Sequence, residues 1–287
     1  YGGVFHTEKD STSWSEVNSG LTNRSVTSLA VLGTNLFVGT SDPAQVNGGV
    51  FVSTNNGTSW SEVSSGLPND DVRSLAVSGT NLFAGTGGKG VFLSTNNGTS
   101  WSGVSSGLTG SAVSGTYVYS LAVSGTNLFA GTSNGVFLST NNGTSWSEVS
   151  SGLMNKIINS VVVSGTNLFA GSLNDGVFLS TDNGATWSQV NSNLTNTDVL
   201  SLAVSGPNLF AGTRRGVFVS SDDGRSWKEV SYGLTIRDIY SLAISGTKLF
   251  AGTDGGVFLS TDNGMSWTTV SSGMTSSLSL IHICEPT

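Results

Sequence analysis

Apolar residues in this chain fall in short clusters set among polar ones, and one such arrangement recurs along its length. In its clearest copy the clusters read Val72-Arg73-Ser74-Leu75-Ala76-Val77, then Asn81-Leu82-Phe83-Ala84, then Gly90-Val91-Phe92-Leu93, then a last one around Trp101 and Val104. Each is about five or six residues long and rich in β-branched or aromatic side chains, the length and composition of a strand. Turn chemistry separates them: Ser78-Gly79-Thr80-Asn81, Gly87-Gly88 and Asn96-Asn97-Gly98. The pattern predicts four antiparallel strands, A to D, over residues 72–79, 81–86, 90–95 and 100–104. No segment carries the 3.6-residue apolar stripe of an amphipathic helix.

Trp14, Trp60, Trp101, Trp146, Trp187, Trp227 and Trp267 mark the copies, at spacings of 46, 41, 45, 41, 40 and 40 residues. A period of that size denotes one supersecondary unit copied around a ring or along a stack, and four strands in about 40 residues make a propeller blade. Strand A restarts at Val26, Val72, Val118, Ile158, Val199 and Ile239, so six A and six B strands stand against seven C and seven D. The expectation is an all-β, seven-bladed β-propeller of four-stranded antiparallel blades with one blade incomplete; a six-bladed ring or a fragment of a longer array are the alternatives. Leu75, Val77, Phe83, Val91, Phe92, Trp101 and their equivalents should pack blade on blade. Because an open strand edge invites aggregation, the missing inner half should come from the C-terminus.

The propeller should span residues 1–274. Residues 275–287 break the pattern, hold the single cysteine Cys284, and resemble a translated sequencing-adapter read-through, although Leu278, Leu280 and Ile281 could form a makeshift strand.

Composition narrows the function. With a net charge of −7 and 10% charged residues, the chain lacks the clustered cations that phosphate backbones require, so nucleic acid is not an expected partner. No apolar run reaches the ~18 residues of a membrane helix. The repeats hold no cysteine, hence neither a disulfide framework nor a thiolate metal site. His6 and His282 stand far apart, and Asp222-Asp223-Gly224 offers too few ligands for calcium, so neither metal nor cofactor is expected.

Ser180-Thr181-Asp182-Asn183-Gly184-Ala185-Thr186-Trp187 matches the Asp-box, or bacterial neuraminidase repeat, Ser-x-Asp-x-Gly-x-Thr-Trp. Asp222 and Asp262 hold the acidic position in two further copies; Asn55, Asn96 and Asn141 replace it in three others, and the copy ending at Trp14 is degenerate. The chain thus resembles the Asp-box propellers, which include sialidases, xyloglucanases, sortilin-type receptors and photosystem II assembly-factor-like proteins. Its regular copies are most similar to secreted or surface repeat proteins of Bacteroidota-type bacteria. That resemblance implies a structural C to D turn, with Trp60, Trp101, Trp146, Trp187, Trp227 and Trp267 covering it, and an extracellular or cell-surface location.

Repeats can be compared with one another. The A to B and C to D turns are monotonous, whereas the D to A and B to C loops, which share the opposite face, vary. On that face Arg24, Asp71, Arg73, Tyr119, Asn159, Asp198, Arg214, Arg215, Arg237, Asp238 and Tyr240 are the candidate binding residues. The residue after each A-strand start changes most: Thr27, Arg73, Tyr119, Asn159, Leu200, Tyr240. No catalytic constellation accompanies them, and Glu16, Glu62, Glu148 and Glu229 all repeat one D-strand slot. The expected function is a non-enzymatic extracellular binding or display module for a protein or glycan, as a monomer or part of a longer polypeptide. A sialidase- or xyloglucanase-like glycoside hydrolase using Asp71 and Asp238 is the rival.

Overall fold

The computed structural model describes residues 2–7, 13–41, 48–68, 71–108, 115–153 and 156–274. Among them all regular structure is β, in 26 strands, and no helix is long and apolar enough to cross a membrane. Six antiparallel units of four strands, blades 1 to 6, span residues 26–62, 72–103, 116–148, 158–189, 199–229 and 241–269, each in the order A-B-C-D. Phe5–His6 and Ser15–Glu16 form a two-stranded hairpin equivalent to C and D. The makeshift strand at Leu278, Leu280 and Ile281 lies outside the described residues.

Successive A strands touch one another, so A forms the inner wall of the ring and D its rim. A serine stitches that wall: Oγ of Ser28, Ser74, Ser120, Ser160 and Ser201 accepts the backbone N–H of Leu75, Leu121, Val161, Leu202 and Leu242 in the following blade. A glycine in strand B lets the blades close. A Cβ on Gly85 would stand 2.6 Å from Cγ1 of Val118 in the next A strand.

Strand alternation sends each blade's two faces into different cores, as expected of a period-2 pattern. Leu75, Val77, Phe92 and Trp101 pack with Ala30 and Phe37 of blade 1, while Phe83 and Val91 pack with Leu121 and Trp146 of blade 3. Every core is therefore shared between neighbours, and no blade has one of its own.

The tryptophans latch these interfaces. Nε1–H of Trp60, Trp101, Trp146, Trp187, Trp227 and Trp267 donates to the carbonyl of Val17, Val63, Val104, Val149, Val190 and Val230 in the preceding unit, each at 2.7 Å. Trp14 Nε1–H donates to Val270 O at 2.6 Å across 256 residues, so the chain of latches returns to its start. Since each Trp also gives its backbone N–H to the preceding unit, for example Trp101 to Ser65 O at 2.8 Å, it leaves its own ladder. The D strand accordingly shrinks from the expected residues 100–104 to Ser102–Gly103. Gly87-Gly88, expected as a turn, instead extends strand B to Asn81–Gly88 and pairs with Tyr117 and Thr116 of blade 3.

In the C to D turn, Ser180 Oγ accepts Gly184 N–H at 2.8 Å and donates to Asp182 Oδ1, which in turn accepts Thr186 N–H at 2.9 Å. Asn183 and Gly184 both take positive φ, 56° and 87°. The hydroxyls of Thr186, Ser226 and Ser266 and the adjoining backbone hold Asp182, Asp222 and Asp262 at a pKa of about 2, against an ordinary 3.8. A depressed carboxylate pKa stabilises the fold above the unfolded value and loses that contribution as pH falls through the folded one. Thermal unfolding between pH 4 and pH 2 should therefore be less acid-sensitive in the triple Asp182→Asn/Asp222→Asn/Asp262→Asn variant than in the parent. The amide fits, because Asn55 Oδ1 already accepts Ser59 N–H at 3.0 Å.

Candidate functional site

Pairing of strands A and B carries a register shift after Val26, Val72, Val118, Ile158 and Val199 in blades 1 to 5. The unpaired residues are Thr27, Arg73, Tyr119, Asn159 and Leu200, the position that varies most between repeats. A bulge re-aims the side chain it carries and ends regular pairing locally, which frees the residue from the alternation that fixes its neighbours. Two residues earlier stand Ser25, Asp71, Tyr117, Ile157 and Asp198, whose equivalent in blade 6 is Asp238. Blades 1 to 5 thus each bring two side chains from positions that vary among the repeats to the loop end of the inner wall.

Blades 2 and 3 combine theirs into one cluster. Asp71 is buried and holds Arg73, whose Nε lies 2.5 Å from Asp71 Oδ2. The Arg73 guanidinium carbon sits 5.1 Å from the Tyr117 ring centroid and 5.2 Å from that of Tyr119, within cation–π range. The two rings lie 6.2 Å apart at 20°. Burial pushes the Tyr119 phenol above its usual pKa, opposed by Arg73. Oδ1 of Asp71 is buried with no hydrogen-bond partner among the described residues. Extension of strand B across Gly87-Gly88 onto Thr116 and Tyr117 ties the two blades together at this point.

A second cluster joins blades 5 and 6. Tyr240 Oη–H donates to Asp254 Oδ2 at 2.9 Å, and that bond, with burial, raises the phenol's pKa; Asp238 and Arg214 act on it through their charges. Arg214 Nε lies 3.8 Å from Asp198 Oδ2. Asp254 and Asp238 thus act on the Tyr240 phenol and Asp198 on Arg214, a more acidic setting than that of Arg73.

The other candidates lie apart. Asn159 Nδ2 donates to Val199 O of the next blade at 3.0 Å, so its amide serves the wall. Arg24 and Arg237 reach outward to D-strand carboxylates, Glu16 at 2.5 Å and Glu229 at 2.6 Å, and Arg237 also meets Arg215 O at 3.4 Å. Two of the four repeated glutamates thus have specific cationic partners. Tyr117 was hidden in the sequence by the insertion at residues 110–116; aligning the repeats on Val118 would have exposed it. Asn69, Asp70 and Asn155 lie outside the described residues, as do the loop at 42–47 and most of that insertion. Among the described residues no three His, Cys, Asp or Glu side chains gather as a metal site.

Fold and surface together define a β-propeller with repeated turns on one face and unrepeated side chains on the other. The chain belongs to the family described as the DUF6242 beta propeller domain, which it matches over residues 8–153 and 159–281. No curated protein matches the sequence. Among solved structures it is similar to the extracellular domain of BT4673 from B. thetaiotaomicron, at 19% identity and a TM-score of 0.73, over 90% of this chain and 36% of that one. The GH74 xyloglucanase from Xanthomonas campestris is 16% identical with a TM-score of 0.75, over 95% of this chain and 52% of the enzyme. YCF48 bound to D1 peptide is 15% identical with a TM-score of 0.68, over 90% and 87%. This chain spans about a third of the first and about half of the second. Likeness at such identity is likeness of fold.

Proposed function

We propose that this propeller is a non-enzymatic binding module of the cell surface or extracellular space, and that it takes a protein or glycan on its loop face. The observation that carries the reading is the bulged inner-wall position. The side chain there differs from blade to blade where the backbone releases it from regular pairing, and at blades 2 and 3 such residues build a preorganised Arg73, Tyr117 and Tyr119 surface. Flat aromatic rings and a fixed guanidinium suit sugar rings and peptide side chains alike. The turns resembling Asp-boxes belong, in this reading, to the scaffold: their carboxylates are spent on their own backbone. Placement outside the cell draws support from the likeness to an extracellular domain, and a binding role from the likeness to a peptide-bound propeller.

Glycan arrays and peptide libraries probed with the parent and with Tyr119→Ala, Tyr240→Ala and Ser145→Ala test it. Signal lost in one or both tyrosine variants and kept in Ser145→Ala, on the opposite face, is the expected result. Absence of any ligand, or equal binding by all four proteins, rejects it. Turnover of β-glucans or sialosides abolished by Asp71→Asn or Asp238→Asn would favour the hydrolase instead.

A further inference from the structure

Asparagine followed by glycine is a chemically weak point in any chain. The glycine nitrogen attacks the asparagine side-chain carbonyl carbon, forming an N–Cγ bond and expelling Nδ2 as ammonia together with the proton of the attacking N–H. Water then opens the succinimide to aspartate or isoaspartate. Glycine favours the step because it sets no side chain in the way. Five C to D turns carry the pair: Asn56-Gly57, Asn97-Gly98, Asn142-Gly143, Asn183-Gly184 and Asn263-Gly264, with the asparagine exposed and the glycine buried in every one. The turn itself calls for these residues. Its asparagines hold φ between 54° and 58° and its glycines between 79° and 87°, left-handed values that the first tolerates and the second favours.

We propose that these turns are latent deamidation sites and that the serine opening each of them is a chemical guard, which holds the glycine N–H so that succinimide forms only when the turn opens. Oγ of Ser53, Ser94, Ser139, Ser180 and Ser260 accepts the N–H of Gly57, Gly98, Gly143, Gly184 and Gly264 at 2.8 to 2.9 Å. Each serine is 1% exposed, so water cannot take its place. The serine proton is itself committed to Oδ1 of Asn55, Asn96, Asn141, Asp182 or Asp262, which leaves the hydroxyl lone pairs for the glycine. Losing the proton of the attacking nitrogen therefore requires a buried hydrogen bond to open first. Blade 5 shows which product the turn accepts: Asp223 replaces the asparagine at φ 59°, and Gly224 N–H still meets Ser220 Oγ at 2.8 Å. Aspartate thus fits, whereas isoaspartate lengthens the main chain by one carbon and draws the glycine off its serine. Asn134-Gly135, in a B to C loop, has its glycine N–H taken as well, by Lys156 O at 2.9 Å. Asn47, which also precedes a glycine, lies outside the described residues. The guard belongs to the repeated face, so the inference stands independently of the ligand proposed above.

Incubation of the folded full chain in mildly alkaline buffer, followed by peptide mass spectrometry that locates each aspartate and isoaspartate, tests it. Parent, Ser139→Ala and Asn141→Ala are compared, with urea-unfolded parent as the unguarded reference. Asn141→Ala loosens the same turn by removing the bonds of Asn141 to Ser145, yet leaves Gly143 N–H on Ser139. The expected result is conversion of Asn142 in Ser139→Ala at least about tenfold faster than in the parent, as loss of one buried hydrogen bond allows. Asn141→Ala should stay near the parent rate, and Asn97 and Asn183 should keep theirs in all three proteins. Ser94→Ala, read at Asn97, should repeat the effect in another blade. Four results would each overturn the proposal: an unchanged rate at Asn142 in Ser139→Ala, an equal rise in Asn141→Ala, a rise shared by Asn97 and Asn183, or a folded parent that converts as fast as the unfolded one.

Discussion

Replacing Trp146 with alanine is expected to lower the free energy of unfolding by about 3–5 kcal/mol, the range for removing a large buried aromatic side chain. The indole is 4% exposed and fills the interface of blades 2 and 3 with Ala76, Phe83 and Val91. Its loss also leaves Val104 O without the 2.7 Å bond from Nε1–H, worth about 1 kcal/mol. Because each core is shared, the cost falls on two blades at once, and a closed ring cannot shed a weakened unit as an open stack can. Trp14→Ala should cost less. Trp14 makes the same kind of bond, to Val270 O, but its indole is only partly buried in the thinnest of the interfaces. Urea unfolding followed by near-ultraviolet circular dichroism measures both, with the slope against denaturant unchanged if only stability moves. Equal losses in the two variants would contradict the unequal seams.

Arg73→Met should cost about 2–3 kcal/mol at neutral pH. Removing one partner of a buried ion pair typically costs about 3–5 kcal/mol, because the other charge stays desolvated. The lower figure reflects a guanidinium side chain that is 33% exposed beside a carboxylate that is 7% exposed. Asp71→Asn/Arg73→Met, which leaves no unpaired charge, should recover most of the loss. Chemical denaturation of parent, single and double variants at pH 7 checks this. A double variant no more stable than Arg73→Met would mean that the cost comes from lost packing and not from an unpaired carboxylate.

Much of this architecture was legible in the chain. Tryptophan spacing and the Val-x-Ser-Leu-Ala-Val and Asn-Leu-Phe-Ala-Gly runs report strands and repeat directly, since period-2 burial must be written into every copy. Packing was legible too, because Leu75 and Phe83 fall on opposite faces by simple alternation. The bulge at Thr27, Arg73, Tyr119, Asn159 and Leu200 was not. One extra residue on one strand leaves the hydrophobic pattern on either side intact, so variability marked the position without revealing its cause. Pairings that depend on distance were hidden as well. Nothing in the sequence joins Arg73 to Tyr117 across an insertion, or separates Arg24 and Arg237, turned toward the rim, from Arg214, which stays with Asp198. The two-residue D strands were invisible for a related reason, since a tryptophan serving the neighbouring blade reads in sequence as part of its own.

Closure of the ring is the claim on which blade packing and the shared inner wall both depend. With Cys284→Ser removing the single native thiol, spin labels at Ser15 and Thr268 report the distance across the seam. Labels at Ser102 and Ser147 report the same exposed D-strand position in two consecutive blades. The latch of Trp14 on Val270 predicts that the two distance distributions coincide. A Ser15 to Thr268 separation several blade widths longer than the Ser102 to Ser147 control would show an open array and contradict the account.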